Sequence, residues 1–281
     1  MRQRPAGLPD FSKPPVGEVV LSLQFPQMPL LQVVHLGLFW NELRTRFPKS
    51  EYHPPVDPAF ENFEMPKFAP GMLIRMNVVP MPFPRLWFVS ENGTELVQIQ
   101  QDRLIFNWRR TKVEDVYPRY EDIREKFEGI LDAFEAVLRK EGISDNGVTP
   151  NQVEVTYLNQ IQREGVWESH SEIGKVLRLY APIDLSHIIG SDPEAIGSKL
   201  IYRLMQPGHD KPIGRLHIDI DPGFDPQKNE PLILVNLLAR GAPIGKGREG
   251  TFEFMDFARG VIVKTFAEIT TKEMHAAWGI R

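Results

Sequence analysis

The side chains whose types and spacing best suit chemistry are His217, Asp219 and Asp221, which alternate with Ile218 and Ile220. On a strand, whose side chains repeat every two residues, the imidazole and both carboxylates share one face and the isoleucines take the other. That set suits a hard divalent metal or acid–base work, so a metal-dependent hydrolase acting through these three residues is one reading. A plainer reading competes with it. Half-exposed antiparallel strands show the same apolar-in, polar-out alternation, and Pro222-Gly223 reads as the strand's end. A second group, Gln98, Gln100, Asn107 and Arg109, falls at alternate positions of two strands joined by a short turn. Gathered on one open sheet face, these side chains could read a polar ligand, a peptide or a base edge. Trp87, Phe106, Trp108 and Tyr202 would stack on bases if exposed, as in single-strand binders, although aromatics at strand spacing are commonly core.

Other chemistries are excluded by what the chain lacks. It has no cysteine, which removes disulfides, thiolate nucleophiles and iron–sulfur clusters, and no cofactor is expected. The Gly-rich stretch from Gly241 to Gly250 carries Lys246 and Arg248, but Lys246 is followed by Gly247 rather than Ser or Thr, so it is not a phosphate loop. There is no Gly-x-Ser-x-Gly, and the seven histidines include no pair at metalloprotease spacing. Lys and Arg number 33 against 37 Asp and Glu, a net charge of -4, which is the wrong balance for neutralising many phosphates. Nucleic acid is therefore not the expected partner. No apolar stretch has the length of a membrane span, and the opening residues, with Pro9, Asp10, Lys13, Pro14 and Pro15, lack a signal peptide's apolar core. A cytoplasmic protein is expected.

The elements that would position these groups follow from hydrophobic periodicity. Residues 18–25 alternate as a strand, and Leu36, Phe39, Trp40, Leu43 and Phe47 recur at helical steps until Pro48. Residues 48–71 hold six prolines and read as a long irregular surface connection. Four short strands follow at 72–79, 86–90, 95–100 and 103–109, with Asn92-Gly93 marking a hairpin turn. Tyr120, Ile123, Phe127, Ile130, Leu131, Phe134, Val137 and Leu138 then form an amphipathic stripe, with Glu121 and Asp122 near its start, Arg139 and Lys140 near its end, and Gly142 as the stop. Beyond a linker at 144–147, strands are predicted at 152–161, 177–181, 200–206, 214–220 and 232–238, and a helical turn at 184–189. A helix carries Phe254, Phe257, Ala258, Val261 and Thr265, and Thr270 with Glu273 predicts a capping box for a last short helix.

Each half thus reads as an opening strand, a variable connection, a meander and a closing helix. The expected fold class is α+β, with two similar halves, 1–146 and 147–281, each an antiparallel sheet backed by helices. Glu18-Val19 with Leu21 and Gln24 matches Glu154-Val155 with Leu158 and Gln160. The same element order occurs in the TATA-binding-protein-like saddle, an analogy of fold that carries no function.

Four segments, PPVGEVVLSLQF (14–25), HLGLFWNELRTRFP (35–48), RLWFVSENGTELVQIQQDRLIFNWRR (85–110) and ITTKEMHAAWG (269–279), resemble a sporadically distributed prokaryotic family of uncharacterised proteins. The resemblance covers nearly the whole chain and implies no activity, cofactor or catalytic residue. Its patchy distribution resembles that of accessory genes, including defence loci. Together these features predict a non-enzymatic binding or regulatory protein that acts on a protein partner or a second copy of itself, through an exposed sheet face or the Pro-rich segment. The alternatives are the metal-dependent hydrolase and a single-stranded nucleic-acid binder.

Overall fold

The computed structural model describes residues 4–63, 83–181, 185–206, 208, 210–225 and 228–281. The strand predicted at 72–79 lies outside them, as does Asp184. The first half runs β1 (Val16–Gln24), α1 (Val33–Leu43), β2 (Lys49–His53), β3 (Arg85–Val89), β4 (Glu95–Gln100), β5 (Arg103–Arg109) and α2 (Tyr120–Lys140). The second half runs β6 (Gln152–Ile161), a 3-10 turn (His170–Lys175), α3 (Ser186–Ile189), β7 (Ser198–Leu204), β8 (Gly214–Asp225), β9 (Glu230–Gly241), α4 (Gly247–Ile269) and α5 (Lys272–Ala277). The protein is mixed α+β: among the described residues nine strands form one antiparallel sheet, in the order β2-β3-β4-β5-β1-β6-β9-β8-β7.

Residues 1–146 and 147–281 share that sheet, because β1 pairs with β6, and they share one hydrophobic core. Alternation divides each strand between two faces. Val19, Leu21 and Leu23 of β1, Leu104, Phe106 and Trp108 of β5, Val153 and Val155 of β6, and Val235 and Leu237 of β9 are buried in the core cluster. The same cluster holds Phe39 of α1, Phe127 and Phe134 of α2, and Phe254, Met255 and Ile262 of α4. Two reciprocal ion pairs clasp the long helices: Arg124 of α2 reaches Asp256 of α4 at 2.8 Å, and Arg259 of α4 reaches Glu121 of α2 at 2.8 Å. Among the described residues no helix is long and apolar enough to cross a membrane.

Several expectations need correction. The connection at 48–71 is not irregular throughout: Lys49–His53 is β2, which among the described residues pairs with β3 on one side only. At a sheet edge the nearby prolines cost no ladder bond, and Pro54 and Pro55 end the strand. Residues 177–181 form no strand; Leu177 makes an isolated bridge to Thr270. β8 does not stop at Pro222-Gly223 but continues to Asp225 against β9. Its pairing with β7 ends at Ile220, so the missing Pro222 N–H falls where no neighbour needs it. Gly247 and Gly250 lie inside α4 rather than in a loop before it. The close approach explains Gly250, since a Cβ there would collide with the Ile244 carbonyl. The N-cap of α5 is Thr271, whose hydroxyl accepts from Met274 N, while Thr270 caps the end of α4.

At the β4 start, Glu95 Oε1 meets Lys126 Nζ of α2 at 2.5 Å and Oε2 meets Arg46 Nη2 at 2.7 Å. Burial raises the Glu95 carboxyl, but the two hydrogen-bonded cations outweigh it and hold its pKa below the ordinary 4.5. A depressed carboxylate contributes stability above the unfolded value that is lost as pH falls through the folded one. Glu95→Gln should therefore lower stability at neutral pH and flatten the fall in unfolding free energy between about pH 5 and pH 3. Parallel acid limbs for the two proteins in urea titrations would remove Glu95 as a contributor.

Candidate functional site

The helices cover one face of the sheet, and the other collects the polar positions of every strand. In register, Gln100 faces Arg103, Arg103 faces Gln24, Gln24 faces Gln152, Glu154 faces Arg240, and Arg240 faces Arg215. A row of long polar side chains therefore crosses β4, β5, β1, β6, β9 and β8. Most of this row is buried, although none of the described helices lies over it.

Residues 54–63, which leave β2 after His53, supply the cover. The strap is extended and is held largely through its backbone. Gln100 pairs with both polar groups of Val56, accepting from its N–H at 3.0 Å and donating to its carbonyl at 2.9 Å. Arg103 Nη2 donates to the Asp57 carbonyl at 3.3 Å, and Gln24 Oε1 accepts from Ala59 N–H at 2.9 Å. At the far end Arg215 Nη2 donates to the Asn62 carbonyl at 2.7 Å, and its guanidinium lies over the Phe63 ring at 4.6 Å. The floor side chains thus do for the strap what a neighbouring strand would do, without selecting its side chains.

One strap side chain is gripped. Glu61, with its side chain 1% exposed, meets Arg215 Nη1 at 2.5 Å, His217 Nε2 at 2.9 Å and Arg240 Nη1 at 3.6 Å. Arg240 Nε also meets Glu154 Oε1 at 2.9 Å, and Arg103 Nη1 lies 3.9 Å from the same oxygen. Three arginines therefore serve two carboxylates. Farther along, Arg85 Nη1 donates to Gln98 at 3.0 Å, and burial first, then the charge of Arg103, lowers the Arg85 pKa. Arginines and carboxylates are interleaved on this face, Arg103, Arg215 and Arg240 with Glu61 and Glu154. Among the described residues, Ser22 Oγ, Arg103 Nε, Gln152 Oε1 and Asn236 Oδ1 are buried here without a hydrogen-bond partner. Such atoms are uncommon in folded proteins, and they leave the floor with capacity to bind.

The polar candidates from the sequence, Gln98, Gln100, Asn107, Arg109, His217, Asp219 and Asp221, all fall on this face, in altered roles. Gln98 donates to Asn107 at 2.9 Å, and Asn107 donates to Glu18 at 2.6 Å, so both are held in a chain inside the floor. Gln100 grips the strap, and Arg109 Nε donates to the Gly93 carbonyl at 2.9 Å, tying down the hairpin. His217 holds Glu61, whereas Asp219 pairs with Lys199 of β7 at 2.8 Å. Asp221 shares their face, paired with Leu234 of β9, on a strand that runs on past it. Among the described residues no group of three or more histidines and carboxylates is placed to hold a metal ion. Phe106 and Trp108 are core, Trp87 stacks on His53 at 3.8 Å, and Tyr202 is half exposed. A separate cavity of about 50 Å³ beside the hydrogen-bonded Tyr117 and Tyr157 hydroxyls is mostly apolar and has room for little more than water.

Glu61, Arg215, Arg240, Arg103 and Gln24 are the residues that sequence reasoning missed. The arginines carried a usable signal, since each sits at a polar-face position of a strand whose inner side chains are apolar. Glu61 carried none, lying among prolines where neither period of two nor of 3.6 applies. No protein-family model, curated protein or solved structure matches the chain.

Proposed function

We propose that this is a non-enzymatic binding protein whose working surface is the sheet face opposite the described helices, and that its partner is another protein. The observation that carries the reading is the floor itself. Gln24, Gln100, Arg103 and Arg215 hold an extended segment by its backbone, which is what a peptide-binding surface does and a catalytic cleft does not require. The family resemblance sets such a protein among accessory and defence genes.

The reading includes a duplicated architecture, two similar halves meeting across β1 and β6 in a saddle-like sheet. Two features support it. Val19 faces Tyr157 and Val155 faces Leu21, so a two-fold between the strands exchanges Val19 with Val155, Glu18 with Glu154 and Gln24 with Gln160. In that register Leu21 answers Tyr157 rather than Leu158. The helix clasp is reciprocal in the same sense, an acidic residue and an arginine three positions later on each helix, Glu121 with Arg124 and Asp256 with Arg259, each pairing with the other's partner.

The experiment is to purify the full chain with whatever protein accompanies it in its host, then to map amide exchange with and without that protein. Protection concentrated on β4, β5, β1, β6, β9 and β8 together with 54–63 is expected. Recovery of no stable partner, or protection confined to α1, α2 and α4, would overturn the reading.

A further inference from the structure

We infer that residues 54–63 are a built-in occupant of a peptide site, and that the site's ligand in trans is an extended acidic segment of a protein partner. This rests on the binding-surface reading above and adds the ligand's chemistry. Three observations define that chemistry. The floor bonds the strap's backbone at Val56, Asp57, Ala59 and Asn62 while Val56 and Phe60 point to solvent, so most ligand side chains are free to vary. One position is fixed: the carboxylate of Glu61 lies between Arg215, His217 and Arg240. Phe63, two residues on, packs under the same Arg215 guanidinium. The preferred ligand is thus an extended chain with an acidic residue followed two positions later by an aromatic ring.

Charge and geometry favour exchange of occupants. Arg240 also holds Glu154, but the carboxylate that pairs with Arg215 is that of Glu61, so an uncharged or basic segment would leave this buried arginine without its ion pair, which supplies the selectivity. Among the described residues the strap pairs with no strand, and floor side chains hold its backbone at Val56, Asp57, Ala59 and Asn62. A competing segment need therefore break no sheet pairing among those residues to displace it. Proline at Pro54, Pro55 and Pro58 keeps the strap extended, and this preorganisation strengthens its hold relative to a flexible competitor. Displacement would need a ligand of high local concentration or one with contacts beyond the strap's own.

The test uses a labelled synthetic peptide of the strap's sequence, residues 53–63 (HPPVDPAFENF), and the same peptide with Gln in place of its Glu. The protein is the full chain, as wild type and as the double variant Val56→Pro/Ala59→Pro, which removes the two strap N–H donors and leaves the floor untouched. The glutamate peptide should bind the folded double variant about tenfold more tightly than it binds wild type, whose site is filled. It should also bind about tenfold more tightly than the glutamine peptide, the factor expected from one charge-assisted hydrogen bond. Equal affinity for the two peptides, or no binding to the folded variant, overturns the inference. If the double variant does not fold, amide exchange decides with wild type alone. Excess glutamate peptide should speed exchange at Val56 and Ala59, and unchanged rates overturn the inference. A partner that protects the sheet face while those two amides stay protected would sink this inference and leave the binding-surface reading standing.

Discussion

Phe134→Ala should unfold at markedly lower urea concentration than wild type, with a stability loss of about 3–5 kcal/mol and little change in the slope of the transition. Phe134 lies on the apolar stripe of α2, where its ring centroid is 5.1 Å from Phe39 of α1 and 6.1 Å from Phe25, just past β1. Phe39 in turn meets Phe88 of β3 at 5.9 Å. Phe134 thus ties α2 to α1 and to the segment that follows β1, and Phe39 carries the contact on to β3. Truncation removes its transfer free energy and leaves a cavity that Phe39, Phe25 and Phe88, fixed on separate segments, cannot close. In a chain of this size the loss corresponds to a fall in melting temperature on the order of 10 °C. A loss under about 1 kcal/mol would mean that the cluster repacks freely, against the close packing described above.

How much of this was legible in the sequence depended on whether a signal was local. The strands at 95–100, 103–109 and 152–161 were placed at their observed ends, because alternation and an Asn-Gly turn act over a few residues. α2 was equally clear, its apolar stripe continuous and its start and stop marked by charge and Gly142. β2 was missed because prolines argue against a strand in general but not against one at an edge. The length of β8 was missed because Pro222 breaks a ladder only where there is a strand on that side to pair with. The shared face of Gln98, Gln100 and Asn107 was foreseen, while its burial was not. What covers Gln100 is a segment more than forty residues earlier, and no local pattern connects the two. The ion cluster at Glu61 is the extreme case, joining residues from opposite halves of the chain.

Glu61→Ala should cost about 3 kcal/mol, the lower end of what is lost when one member of a buried ion pair is removed. The reason is asymmetry. Arg240 keeps Glu154, but Arg215, its side chain 5% exposed, loses the carboxylate held by its Nη1, and His217 loses the oxygen at 2.9 Å. The strap can lift and admit water to these groups, which places the cost at the lower end. Glu61→Leu/Arg215→Met should regain most of the loss, since a buried pair replaced by apolar side chains of similar volume is commonly neutral or stabilising. Comparing Glu61→Leu and Arg215→Met with the double variant and wild type by urea denaturation isolates the coupling, expected at about 1 kcal/mol or more. The same experiment separates two roles for the cluster. If it only stabilises, the Leu/Met protein should keep Val56 and Ala59 as protected from exchange as wild type does. As an anchor for an exchangeable segment, its loss should leave the global unfolding free energy near that of wild type and yet expose those two amides. Stability of Glu61→Ala within about 0.5 kcal/mol of wild type would contradict the buried pair itself.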